Sequence, residues 1–209
     1  MVKKMKVIFG TTNKHKIRDL LDIIKNNQLD LEVLTLEDIG WDLGEIEETG
    51  KTIEENSLIK AQAIHQFCIA HQIQYPVIID DSGLFVRALN NEPGVYTARY
   101  ADQERKENPE LPKYECVNKL LRKLNNQNDR FAYYRAVVTC MYENGSYFQE
   151  EGISYGFIND KIVEPIEKPY FYTVFVLDSY AKTFNQLSYE ERKDTYRYQA
   201  LQRVLKLIR

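Results

Sequence analysis

What this sequence lacks narrows it before anything present is weighed. Its three cysteines, Cys68, Cys116 and Cys140, are odd in number and far apart, which excludes a disulfide framework and a cysteine-built zinc site. The three histidines, His15, His65 and His71, show no metal-ligand spacing. No apolar run nears the roughly 20 residues that a membrane-spanning helix needs. The N-terminal MVKKMKVIFG sets lysines before an apolar patch too short for a signal-peptide core. It reads as a first strand, and the expected location is the cytosol. There is no basic excess: the formal net charge is −3, which gives no electrostatic case for a polymeric nucleic-acid partner. Internal repeats, low-complexity tracts and the glycine-rich Walker phosphate loop are all missing. What is left is ordinary globular material, 209 residues with 44% hydrophobic and 28% charged, enough to bury a sizeable core.

Residues 76–84, PVIIDDSGL, organise the rest. Val77, Ile78 and Ile79, with Tyr75 ahead of them, form an unbroken apolar run that suits a short strand covered on both faces. At its carboxyl end, where α/β proteins tend to place ligands, come Asp80 and Asp81, then Ser82 and Gly83. Gly83 permits a tight turn there. Adjacent carboxylates repel unless a cation or a shared proton relieves them. Mg²⁺, a hard ion that takes carboxylate oxygens, is the simplest occupant. Alone, the dipeptide reads more readily as a turn capping a strand. Its surroundings change the balance.

A strand over residues 6–9 ends in Gly10-Thr11-Thr12-Asn13, and a helix follows over about 14–26 with Ile17, Leu20, Leu21 and Ile24 at helical spacing. A turn of that kind ahead of a helix can take an anion on its backbone N–H groups. Lys14, Lys16 and Arg18 stand in the first turn, where the helix dipole disfavours cations. They point to an anionic ligand or, equally, to a solvated basic helix start. A second strand covers residues 31–34, and an acidic stretch runs over 37–55. Within it Glu47-Glu48-Thr49-Gly50 lies directly before a helix, within reach of a metal. Thr52 to Glu55 is a capping box. Its helix is expected to run to about His71 and to bury Ile59, Ala63, Phe67 and Ala70, leaving His65 and His71 solvated. Asn56 and Lys60 share a face, and Lys60 reads as an ion-pair partner or a phosphate ligand.

Further on, the pattern predicts a segment over 84–89, a turn at 90–94 and a segment of no clear period over 95–100. A helix is expected over 111–124, with Cys116, Val117, Leu120, Leu121 and Leu124 inward. A strand over 130–142, an Asn144-Gly145 hairpin turn and a return over 146–153 follow. Residues 170–177 read as an aromatic strand, and Ser188 to Glu191 as a second capping box. One or two helices, with a break near Asp194-Thr195, carry the apolar stripe Leu201, Val204, Leu205 and Ile208. Cys68 and Cys140 are expected in the core.

Taken in order, TTNKHKIRDL (11–20), EETGKTIEENSLIKA (47–61), DDSGL (80–84) and PGVYTARYA (93–101) resemble the inosine triphosphate pyrophosphatase family, the Ham type. These enzymes hydrolyse non-standard purine nucleoside triphosphates such as ITP, dITP and XTP. The resemblance implies one α/β domain over residues 1–209, an elongated mixed central β-sheet flanked by helices. It also implies two lobes, about 1–95 with the C-terminal helix and 96–185, with a nucleotide cleft between them. Cleavage between the α and β phosphates, giving a monophosphate and pyrophosphate with Mg²⁺, would follow. By motif position, Thr11, Asn13 and Lys16 would hold the polyphosphate, and Lys60 would meet phosphate charge. Glu48 and Asp81 would organise Mg²⁺, with Asp81 the general base and Asp80 in support. Ser82 would lie against the nucleoside, while Glu55, Asn56 and Arg99 match the family as scaffold. A cytosolic homodimer is the implied assembly.

The second half departs from the family. Its G-F-G-Y-D-P-I-F segment corresponds here to KPYFYTVF (168–175), without the glycine, aspartate and proline at those places. The later E-E-K-N and S-H-R motifs appear as Glu190-Glu191-Arg192-Lys193 and Thr195-Tyr196-Arg197, so Tyr196 replaces histidine and Arg197 is kept. Arg192 or Lys193 stands for the family lysine. These residues read the purine in the family, so the alternatives are the same reaction on a different nucleotide, an inactive nucleotide-binding or regulatory protein, and a metal-dependent phosphatase releasing orthophosphate. Intact acids beside a rewritten pocket fit changed specificity better than lost turnover. A shared site requires Glu48 and Asp81 to converge on one cation, with Lys16 facing the same place.

Overall fold

The computed structural model describes residues 4–208. In chain order its main elements are β1 (Met5–Phe9), α1 (Lys14–Asn26), β2 (Leu31–Leu34), α2 (Ile53–Ala70), β3 (Val77–Val86) and β4 (Glu92–Gly94). These are followed by α3 (Asp102–Glu107), α4 (Glu115–Lys123), β5 (Phe131–Met141) and β6 (Tyr147–Ile158). Last come β7 (Phe175–Leu177), β8 (Lys182–Thr183), α5 (Tyr189–Arg192) and α6 (Tyr196–Leu207). The strands form one mixed sheet in the order β2-β1-β3-β5-β6-β7-β8, with β4 paired to β3. β1 runs parallel to β2 and β3, while β3–β4, β6–β7 and β7–β8 are antiparallel. This is the mixed α/β sheet expected from the sequence.

Two compact units divide the chain. The first holds residues up to Asp81, Ala136–Gly152 and the chain from Tyr196; the second holds Ser82–Arg135 and Ile153–Thr195. In the first, Val7, Ile8 and Phe9 of β1 and Val77, Ile78 and Ile79 of β3 are fully buried, as apolar parallel strands covered on both faces must be. α2 lays Ala61, Ile64 and Cys68 on Ile8, Val77, Ile79 and Met141. α1 and α6 pack together, burying Leu20, Ile23, Leu201 and Val204. In the second unit Tyr134, Phe175 and Phe184 meet as a buried aromatic cluster.

Several expectations need correction. β3 does not end at Ile79 but runs on to Val86, so DDSG is strand interior and not a turn. Gly83 serves close approach instead: a Cβ there would lie 2.5 Å from the Gly94 carbonyl oxygen of β4. The buried face of α2 is Ile53, Asn56, Ser57, Ala61, Ile64 and Phe67, whereas Ala70 is exposed and Ile59 and Ala63 only half-buried. His65 is buried as well, with Nε2 3.1 Å from the Glu143 carbonyl of the hairpin. α4 starts at Glu115, four residues later than its apolar spacing suggested. Residues 170–177 are a 3₁₀ turn, Tyr170–Thr173, followed by the short β7. Aromatic composition favours strands only where a neighbouring strand is offered.

Candidate functional site

The site starts from the pleat. Successive side chains of a strand point to opposite faces, so Asp80 and Asp81, both inside β3, part company. Ile79 packs on α2, and Asp81, two residues on, faces the same way. There Lys60 of α2 sets its Nζ 2.9 Å from Asp81 Oδ1 and 2.5 Å from Glu48 Oε1. All three side chains are mostly buried. Burial works to lower the Lys60 ammonium, but Asp81 and Glu48 outweigh it and hold its pKa above the ordinary lysine value.

Glu48 reaches that point because its loop is tied to the first turn of α2. Thr52 caps the helix by accepting the Glu55 N–H. Glu55 Oε2 accepts the Lys51 N–H at 2.6 Å, and the fully buried Asn56 accepts the Gly50 N–H through Oδ1 at 2.8 Å. A Cβ on Gly50 would lie 2.6 Å from that same oxygen, so only glycine lets the loop lie so close.

On the other face Asp80 is buried among cations. Its Oδ2 accepts the Arg197 Nε–H at 2.7 Å and lies 3.5 Å from Lys16 Nζ. Lys16 donates to the Asp80 carbonyl at 2.6 Å, and Arg197 Nη1 lies 3.3 Å from Asp19 Oδ2. Burial pushes the Asp80 carboxyl up, yet Lys16 and Arg197 more than offset it, and the net direction is down. For Asp19 burial prevails over Arg197 and its carboxyl is raised. For Lys16 burial again prevails, over the attraction of Asp80, and its ammonium is lowered; it also feels Asp81 and Lys60. Asp80 Oδ1 is buried with no hydrogen-bond partner among the described residues.

The turn between β1 and α1 is self-organised. Thr11 Oγ1 accepts the Asn13 N–H at 3.1 Å, and Asn13 Oδ1 accepts the His15 N–H at 2.9 Å, which caps α1. A Cβ on Gly10 would meet Ile79 Cδ1 at 2.3 Å, so the glycine lets this isoleucine tip pack against the turn.

The charged residues named from the sequence therefore fall into two groups within the first unit, Glu48–Lys60–Asp81 and Lys16–Asp80–Arg197, so Lys16 pairs with Asp80 where it was expected to face the Glu48–Asp81 point. Tyr196 is buried with the Arg197 guanidinium 5.2 Å from its ring centre. Ser82 follows Asp81 on β3, half-buried. Arg192 donates to the Leu187 carbonyl, and Lys193 pairs with Glu190 at 2.7 Å. Asp19 escaped the sequence reading; its signal was a carboxylate three residues after Lys16, on the same side of α1. Among the described residues no cluster of three or more His, Cys, Asp or Glu is placed to hold a metal. Two carboxylate oxygens do converge on one cationic point, the donor chemistry that suits Mg²⁺ sharing its shell with water and phosphate.

The site is thus one strand of a mixed α/β sheet, with Asp80 and Asp81 set against Lys16 and Lys60. The Ham1 family model matches residues 7–207, and the chain belongs to that family. A dITP/XTP pyrophosphatase of Clostridium perfringens is 32% identical over 203 residues, 95% of either chain. The Ham1 protein of Staphylococcus aureus superposes with a TM-score of 0.79 at 30% identity over 97% of each chain. A HAM1 protein from Coxiella burnetii gives a TM-score of 0.81 at 25% identity, covering 97% of this chain and 98% of that one.

Proposed function

We propose that the protein is a nucleoside triphosphate pyrophosphatase, cleaving an ITP-, dITP- or XTP-like substrate to the monophosphate and pyrophosphate. The observation that carries it is Lys60 held between Glu48 and Asp81, in a chain aligned nearly end to end with relatives named dITP/XTP pyrophosphatase. Lys16 and Lys60 meet the polyphosphate charge, with Thr11, Asn13 and the N–H groups at the start of α1 as further donors. Asp81 Oδ orients the attacking water and accepts its proton. Asp80 is a positioning residue: it anchors Lys16 and Arg197 and does not face the water. Arg197, with Tyr196 against its guanidinium, steadies Asp80, and Ser82 stands next to the nucleoside. Glu48 and Asp81 would hold Mg²⁺, which when bound would neutralise charge on the phosphates.

The test is product analysis over a panel of nucleoside triphosphates with Mg²⁺, wild type against Asp81→Asn. Pyrophosphate from ITP or XTP, lost in the variant by about 10²–10⁴-fold, is the expected result. Orthophosphate as first product, or equal rates in the variant, would sink the reading. Departure from the family motif over residues 168–175 favours a second outcome, pyrophosphate from a different base, since Tyr172 packs on Tyr134 and Phe184 there. A cytosolic homodimer belongs to the same proposal, with sedimentation velocity as its check.

A further inference from the structure

A buried polar chain beside the site has no part in the chemistry above. Ser57 on α2 is fully buried, as is Thr139 on β5. A serine inside a helix usually bonds back to its own helix or faces solvent. Ser57 instead reaches across, with Oγ 2.6 Å from Thr139 Oγ1 and 3.4 Å from the carbonyls of both Ile79 and Val137. Gln149 on β6 donates Nε2–H to Thr139 Oγ1 at 2.9 Å and to the Glu54 carbonyl at 3.0 Å.

Each hydroxyl carries one proton and two lone pairs, so either side chain can donate across the Ser57–Thr139 contact. Thr139 accepts from Gln149, and where it also donates to Ser57 the Ser57 proton is left for the Ile79 or Val137 carbonyl. The chain thus links β6, β5 and α2, and its Ser57 end lies against the backbone of both β3 and β5. Ile79 lies two residues before Asp81 on the same face, and Ser57 lies one helical turn before Lys60.

We infer that Ser57, Thr139 and Gln149 are positioning residues that set the depth and register of α2 against β3, and through them the meeting of Lys60 with Asp81. An apolar contact would bury this surface equally well but allow sliding; directional hydrogen bonds between specific atoms do not. The catalytic consequence rests on the pyrophosphatase reading; the geometric one does not.

The test is Thr139→Val, which keeps the side-chain outline and removes the hydroxyl, together with Ser57→Ala and the conservative Thr139→Ser. Thr139→Val and Ser57→Ala are expected to lower kcat for pyrophosphate release about tenfold with KM little changed, and Thr139→Ser to restore it. Crystal structures of the same variants should show Lys60 Nζ moved beyond hydrogen-bond reach of Asp81 Oδ1, from 2.9 Å. Unchanged kcat with a lowered Tm only would overturn the inference, as would a loss that Thr139→Ser leaves in place. If the wild type releases pyrophosphate from no nucleoside triphosphate, the functional reading falls. The Lys60–Asp81 separation in the variants then decides the inference alone, and an unchanged distance overturns it.

Discussion

The two compact units solve burial in opposite ways. In the first, Lys16, Asp19, Lys60, Asp80 and Arg197 are withdrawn from water, and each meets an opposite charge within 3.5 Å. In the second, the buried side chains are largely aromatic. Tyr134, Tyr172, Phe175 and Phe184 pack there with ring centroids 4.8 to 5.6 Å apart. Buried charge is intolerant, because removing one partner strands the other. Aromatic packing accepts exchange as long as volume and outline are kept. One unit therefore resists change in its chemistry while the other is free to drift in shape.

The comparison is tested hardest by two substitutions of similar cost. Arg197→Met leaves Asp80 and Asp19 without their guanidinium and should destabilise by about 3–5 kcal/mol. Phe184→Ala, by opening the aromatic cluster, should cost about 3–5 kcal/mol as well. Either loss lowers Tm by roughly 10 °C in a chain of this size. They should part in turnover: Arg197→Met depresses kcat for every nucleotide, whereas Phe184→Ala changes the ranking of bases. Equal effects on all bases in both variants would break the contrast. Lys60→Met comes next, with a fall of about 10²–10³ in kcat measured by pyrophosphate release.

The acid limb of stability is a smaller effect with a definite sign. Asp80 has a folded pKa below its unfolded value, so its contribution is present above about pH 4 and is lost as pH falls through the folded pKa. Urea midpoints of wild type and Asp80→Asn should accordingly differ at pH 6 and draw together toward pH 2. Lys60 is the mirror case: its stabilisation is complete below about pH 10.4 and fades as pH rises through its raised folded value. The smallest effect is Ser188→Ala, which removes the cap of α5 in the second unit. It should cost about 1 kcal/mol and leave turnover alone.

What the sequence revealed was what local physics controls. The limits of α1 and β2, the Thr52 cap, the Ser188–Glu191 box and the Asn144-Gly145 hairpin, with Gly145 at positive φ, all appear where spacing and turn chemistry put them. What stayed hidden depends on distant partners. Aspartate and glycine are depleted in strands, so nothing near Asp80 announces that β3 continues through it. Lys16 and Arg197, 64 and 117 residues away, make that possible. His65 likewise is buried only because the β5–β6 hairpin arrives to accept it. Glu48, Lys60 and Asp81 were legible as a group through the order of motifs; the separate allegiance of Asp80 was not.

The alternating pleat of β3 also gives the site a reading frame. An insertion of one residue between Val77 and Ile79 would bring Asp80 opposite Lys60 and turn Ile79 toward Arg197. A deletion there would bring Asp81 opposite Arg197 and leave Lys60 facing Ser82. Each frameshift keeps one carboxylate in register and empties the other slot. Adjacent aspartates of identical chemistry are thus told apart only by odd and even position. A pair of single-residue length variants would separate the lysine-facing half of the site from the arginine-facing half without altering either aspartate.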